Sequence, residues 1–261
     1  MDEPFQFVAI DEHPAFPNPA DRNATIWRYM DFHKFESLAT TKTLYMRRAD
    51  LFAGDEFEGT TPAGELEFWK VLADSAENDK DRATILHNRE QLSGFAADFR
   101  DKYFLSCWHM SPEENVAMWD RYVTTSESVT IRTRFSTLKA QLLPVINVGM
   151  VRYIDYEKDR LPSLNMLQLI SHKRIFYADE REIRAAMLTI SPEPVFERMI
   201  GPYLTPNGCG YVPPIDPTML VEGVVLHPKA SAEFARKVEA LCAAHGLPIP
   251  TPSRMASKPR F

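Results

Sequence analysis

The chain has 261 residues, 44% hydrophobic and 25% charged, which is enough apolar material for a sizeable core in one large domain or two small ones. With 30 Lys and Arg against 36 Asp and Glu the formal net charge is -6, so nothing in the overall balance favours a nucleic-acid partner. No apolar run approaches the roughly 18 residues that a membrane span requires, and the first residues carry acids and prolines where a leader needs a basic start, so no membrane partner and a cytoplasmic address are expected.

Cys107, Cys209 and Cys242 are widely spaced and form no Cys-x-x-Cys pair, which supports neither a disulfide framework nor a cysteine zinc site.

Residues 1–24, with Pro4, Pro14, Pro17 and Pro19, read as an N-terminal arm lying over the domain or partly disordered. Residues 25–250 are expected to form a single domain. Thr25 to Met30 is a short strand, Asp31 a candidate cap for a helix carrying Phe32, Phe35 and Leu38, and Thr43 to Arg47 a second strand. Asp50 to Gly59 is an acidic loop. Residues 61–101 predict an inserted helical hairpin, its first helix carrying Leu66, Trp69 and Leu72 and its second Ile85, Leu92 and Phe99; it either packs on the sheet or forms a lid.

Tyr103 to Met110 has no charge along its length and reads as a strand buried on both faces. Ser111-Pro-Glu-Glu114 carries the signals of a helix start, with Ser111 as cap and Glu114 closing a capping box. Val129 to Thr133 alternates as a strand, Ser136 to Leu143 is a helix, Val148 to Tyr156 a strand, and Ser163 to His172 a helix. Residues 181–189 combine helix-favouring composition with an alternation of Ile183, Ala185 and Met187 against Glu182, Arg184 and Ala186; the period of two predicts a strand. After a Pro- and Gly-rich excursion over 191–217, Met219 to Leu226 is a strand and Ala230 to His245 a helix stopped by Gly246; 251–261 is a basic tail. These elements predict an α+β fold with a central mixed or mainly antiparallel sheet and flanking helices.

Glu180, Glu182 and Arg184 are spaced by two, so a strand sets all three side chains on one face. Two carboxylates that close repel unless Arg184, Lys173 or Arg174 neutralises them. Such a pair can serve as acid or base, hold a ribose hydroxyl or bind a divalent metal; equally, it can be a salt-bridged face shared with Arg132 or Arg152. Arg28 in an otherwise apolar strand needs either a carboxylate, for which Asp50, Asp55, Glu56 and Glu58 are near in sequence, or a ligand phosphate or carboxylate. Trp108 can wall a pocket. No histidine spacing suits a metal, and neither a glycine-rich nucleotide loop nor a Gly-x-Ser-x-Gly elbow occurs.

Trp27-Arg28-Tyr29, Asp55-Glu-Phe-Glu-Gly59, Ser106-Cys107-Trp108, Trp119 with Tyr122, Val151-x-Tyr153, and Lys173 followed by Glu180-x-Glu182-x-Arg184 together resemble the bacterial family known as domain of unknown function 2971, over residues 25–230. That resemblance implies no activity, only a setting near phage defence and mobile elements. The layout is also similar to that of ADP-ribosyltransferases at the level of fold. This analogy implies NAD as cofactor, with Arg28 and Tyr122 in the NAD-binding places, Trp108, Arg132, Lys173 and Arg184 around them, and Glu182 with Glu180 as catalytic acids. The alternatives are a metal-dependent nuclease or phosphodiesterase built on the acidic loop, and a non-catalytic sensor or interaction module.

Overall fold

A computed structural model describes residues 11–52, 54–163, 165–190 and 201–256. Within them the chain is α+β, with a nine-stranded, mainly antiparallel sheet. Its strands are β1 (Thr25–Asp31), β2 (Met46–Arg48), β3 (Tyr103–Met110), β4 (Ser128–Arg134), β5 (Asn147–Met150), β8 (Glu182–Leu188), β9 (Gly210–Tyr211), β10 (Gly223–Leu226) and β11 (Thr251–Pro252). A separate parallel pair is formed by β6 (Arg152–Ile154) and β7 (His172–Arg174).

β3 is the hub. β8 pairs along one edge from Tyr103 to His109, so β1 and β2 share the other, β1 at His109 and Met110 and β2 at Phe104 and Leu105. Among the described residues Ser106, Cys107 and Trp108 therefore have no ladder partner on that edge, and the sheet splits there. β1 continues alone against β4, and β10 and β11 extend that side.

One face carries the main core, in which Ile26, Met30, Ile131, Trp108, Ile183, Ala185 and Met187 meet α1 (Phe32–Thr41), α5 (Phe135–Gln141) and α8 (Ala232–His245). Ser231 caps α8 by accepting from the Phe234 amide, and Gly246 ends it at φ 67°. On the other face Trp27 and Tyr29 pack on Met118 and Trp119 of α4 (Val116–Tyr122), while Tyr103, Leu105 and Ala186 pack on Ala15, Phe16 and Ile170. Phe16 is wholly buried, so the described part of the arm lies against the domain, and a Cβ on Gly149 would stand 2.3 Å from the Phe16 carbonyl oxygen. Residues 1–10, 191–200 and 257–261, to which parts of the expected arm, excursion and basic tail belong, lie outside the described residues.

Several expectations are corrected. The helix expected at Ser111 begins at Val116, capped by Asn115, whose side chain accepts from the Ala117 amide. Glu114 closes no box, because it is drawn to Ser253, to the Arg254 amide and to the Trp119 indole. Asp31 precedes α1 without capping it, and accepts instead from the Thr124 amide and the Ser128 hydroxyl. The run 148–156 breaks at Val151, where the chain leaves β8 for β7. The helix expected over 163–172 is reduced to the single turn of α6 (Gln168–Ser171), and Met219 and Leu220 end the short helix α7 (Pro217–Leu220) ahead of β10. The hairpin is present as α2 (Ala63–Asp74) and α3 (Asp79–Asp98). No helix among the described residues is long and apolar enough to cross a membrane.

Candidate functional site

Register decides which of the expected residues meet. Trp27, His109 and Glu182 stand abreast on β1, β3 and β8 and share one face, with Cys107 and Arg184 abreast two residues along. Arg28 and Trp108 are offset by one residue and point to the opposite face, where the guanidinium carbon lies 5.7 Å from the centroid of the Trp108 ring. The sheet itself therefore separates Arg28 from Glu182. Arg132 shares the face of Glu182, but it is exposed on β4 over the Trp27 ring, with β1 and β3 in between.

Glu180, Glu182, Lys173, Arg184 and Tyr122 are brought together. Arg184 is 0% exposed: its Nε and Nη2 donate to the two Glu182 oxygens at 2.6 and 3.0 Å, and its Nη1 donates to the Ile170 carbonyl at 2.6 Å. Its Nη2 also stands 2.5 Å from Glu58 Oε1, an approach without hydrogen-bond directionality. Lys173 Nζ lies 2.5 Å from Glu180 and 3.6 Å from Glu182. Glu180 accepts from Arg121 Nη1 at 3.0 Å, and Arg121 also binds Asp179 at 3.1 and 3.3 Å.

Two local devices hold this arrangement. In the acidic loop the Asp55 side chain accepts from the Phe57 amide, and Gly59 turns at φ 77°, aiming Glu58 inward. After β7 a 3-10 turn, Ile175–Glu180, ends at Arg181 in the left-handed region, φ 41°, before β8 starts. Arg174 at its head pairs with Asp55 at 3.0 Å and lies over Phe57, and the Tyr177 hydroxyl donates to the Gly54 carbonyl at 2.8 Å.

The electrostatics follow from five carboxyls, Asp55, Glu58, Asp179, Glu180 and Glu182, facing four cations, Arg121, Lys173, Arg174 and Arg184. Burial alone would raise the Glu182 pKa, but attraction to Arg184 and Lys173 outweighs it and holds this carboxyl at about 2. For Glu58 burial wins over Arg184, and the repulsion of Glu182 adds to it, so its pKa is raised. Of the two carboxyls at Arg184, Glu58 is therefore the one more readily protonated. Burial, then the charges of Glu182 and Glu180, push the Tyr122 phenol up, so it stays a neutral donor. His109 places Nδ1 2.6 Å from the Glu180 carbonyl, and burial lowers its pKa, so it is a neutral ring whose buried Nε2 has no partner among the described residues.

Chemically, Glu182 is a carboxylate stabilised in its ionised form, with its two oxygens both held by one guanidinium. Neither Arg121 nor Asp179 carries a local signal in the sequence, and Glu58 is visible there only as one acid of its loop. Among the described residues no group of three His, Cys, Asp or Glu side chains is placed to hold a metal ion. A cleft of about 350 Å³ between α3 and residues 161–169, lined by Trp69, Leu92, Phe95, Asn88 and Gln91 among others, contains none of the expected site residues. Compared with known protein families, with curated proteins and with solved structures, the chain matches none.

Proposed function

We propose that this chain is a non-catalytic interaction module, in which the buried ion network is a clasp that fixes a recognition turn on the surface. The observation that carries this reading is Phe176. It is 81% exposed, yet it sits on the 3-10 turn whose flanks are pinned by the Lys173–Glu180 and Arg174–Asp55 pairs. Ile175 beside it and Phe57 on the pinned loop are exposed as well.

A large apolar side chain held out in one place loses little freedom when a partner closes over it, which is the property of a binding anchor. The partner this surface suits is a protein with an apolar pocket rimmed by polar groups. A nucleotide-using enzyme, with NAD or with a divalent metal, would need an open carboxylate beside its cation, and Glu182 is closed by Arg184 and lies across the sheet from Arg28.

Peptides selected on the immobilised protein from a random displayed library should carry apolar anchors. They should lose about tenfold or more in affinity to Phe176→Ser, a loss of at least roughly 1.4 kcal/mol, with the unfolding curve unchanged. Selected peptides that bind both proteins equally would show that Phe176 is not the anchor.

A further inference from the structure

Of the expected site cations, Arg132 and Arg28 stand outside the clasp; Arg132 is exposed, whereas less of the surface of Arg28 is open to solvent. Its Nη2 donates to the Tyr45 carbonyl at 2.7 Å, and no carboxylate of the described residues lies within ion-pair distance of it. It is half-buried, with the fully packed Trp108 ring beneath it, and burial depresses its pKa to about 10. A guanidinium that has lost part of its hydration gains most from a carboxylate or a ligand anion, which can replace the missing water contacts with paired, charge-assisted hydrogen bonds. Arg184, on the other face, shows what replacement looks like in this chain: a bidentate carboxylate, a second carboxylate and a carbonyl. Arg28 has one carbonyl.

The position of Arg28 is as telling as its chemistry. β1 leaves β3 after Trp27, β2 joins β3 only at Leu105, and Arg28 reaches over the intervening gap to the residue that precedes β2. The split in the sheet thus coincides with the under-used guanidinium. Two more arginines follow in β2: Arg48, on the face of Arg28, is neutralised by Asp50 at 2.6 Å, and Arg47 points to the opposite face, where its one hydrogen bond among the described residues goes to the Leu51 carbonyl.

We infer that the sheet split between β1 and β2 is a binding site for a small oxyanion, a phosphate or a carboxylate, received by the Arg28 guanidinium through its free N–H groups. This site is independent of the Phe176 surface and requires no catalysis.

The test is a titration of the whole chain with inorganic phosphate, with acetate and with AMP, each against sodium chloride at matched ionic strength. Thermal unfolding is followed together with the Arg28 Nε–Hε resonance in a nitrogen-15 spectrum. Saturable stabilisation by at least one of the anions, with displacement of that resonance, is expected. Phosphate or AMP acting without acetate assigns a phosphate group; acetate acting alone assigns a carboxylate. Arg28→Lys keeps the charge but not the paired donors and should weaken binding about tenfold or more, and Arg28→Gln should abolish it. If Arg28→Gln does not fold, the lysine variant and the resonance still decide. No saturable effect beyond chloride, an unmoved resonance, or equal binding by Arg28→Lys overturns the assignment.

Discussion

Arg184 grips Glu182 two residues earlier on the same strand, through two hydrogen bonds of 2.6 and 3.0 Å, in the interior of the protein. Both side chains leave one face of β8, so the strand's pleat alone brings them within reach. Removing one partner leaves the other charged and buried with a counter-charge fewer, whereas removing both withdraws one positive and one negative charge together and leaves Glu58 and Lys173 behind.

Glu182→Met and Arg184→Leu are each expected to lower the free energy of unfolding by about 3–5 kcal/mol. The double variant Glu182→Met with Arg184→Leu should cost clearly less than the two singles added. Urea unfolding of the four proteins checks this; strictly additive losses would mean that the pair does not act as a unit.

The pH dependence has two opposing parts. Glu182 has a folded pKa of about 2, below its ordinary value, so its contribution is present above about pH 4.5 and is lost as the pH falls toward 2. The lowered pKa values of His109 and His172 act with the same sign at a higher pH: stability declines as the pH falls below about 6.5, where the unfolded imidazoles take protons first. Glu58 has the opposite sign, since its raised pKa makes its contribution largest at low pH and lost as the pH rises through the folded value. Glu58→Gln should therefore be more stable than the natural chain at pH 7, and the gain should vanish near pH 4. Urea midpoints between pH 4 and 8 decide it, and a gain that grows on acidification would reverse the sign assigned to Glu58.

Arg181 occupies the left-handed region at φ 41° with its side chain exposed. Glycine adopts that conformation without steric cost, so Arg181→Gly should stabilise the chain by up to about 1 kcal/mol, while Arg181→Val should destabilise it. Thermal unfolding of the two variants gives the comparison, and a loss in the glycine variant would point to a contact of Arg181 that outweighs its backbone strain.

Gly149 allows the arm to lie directly on β5. A methyl group there meets the carbonyl of Phe16, a backbone group that cannot swing aside, so Gly149→Ala should cost about 1–3 kcal/mol and expose the arm to limited proteolysis near Phe16. An unchanged digestion pattern would show that the arm shifts without leaving its seat.

Much of this architecture can be read from local pattern. The alternation of Ile183, Ala185 and Met187 with Glu182 and Arg184 marks β8 as a strand despite its helix-favouring composition, and the charge-free run of β3 marks the hub. Residues whose roles depend on distant partners cannot be read in this way. The box signal at Ser111 is correct chemistry in the wrong setting, because Glu114 is claimed by Ser253 and Arg254 some 140 positions later. The separation of Arg28 from Glu182 is a matter of parity: a one-residue change in the register of β3 on β1 would set them on one face, and no local feature specifies that register. Arg121 enters the cluster only because α4 packs across Trp27 and Tyr29.

Turnover and stability measured together in the natural chain and in Glu182→Gln separate a clasp from an active site. The purified chain is incubated with NAD, and separately with DNA and RNA, with magnesium or manganese and with EDTA. A clasp predicts no NAD consumed and no nucleic acid cleaved by the natural chain under any of these conditions, together with a large loss of stability in the variant. NAD consumption or metal-dependent cleavage by the natural chain, abolished in a Glu182→Gln protein that unfolds at the same urea concentration, would contradict it.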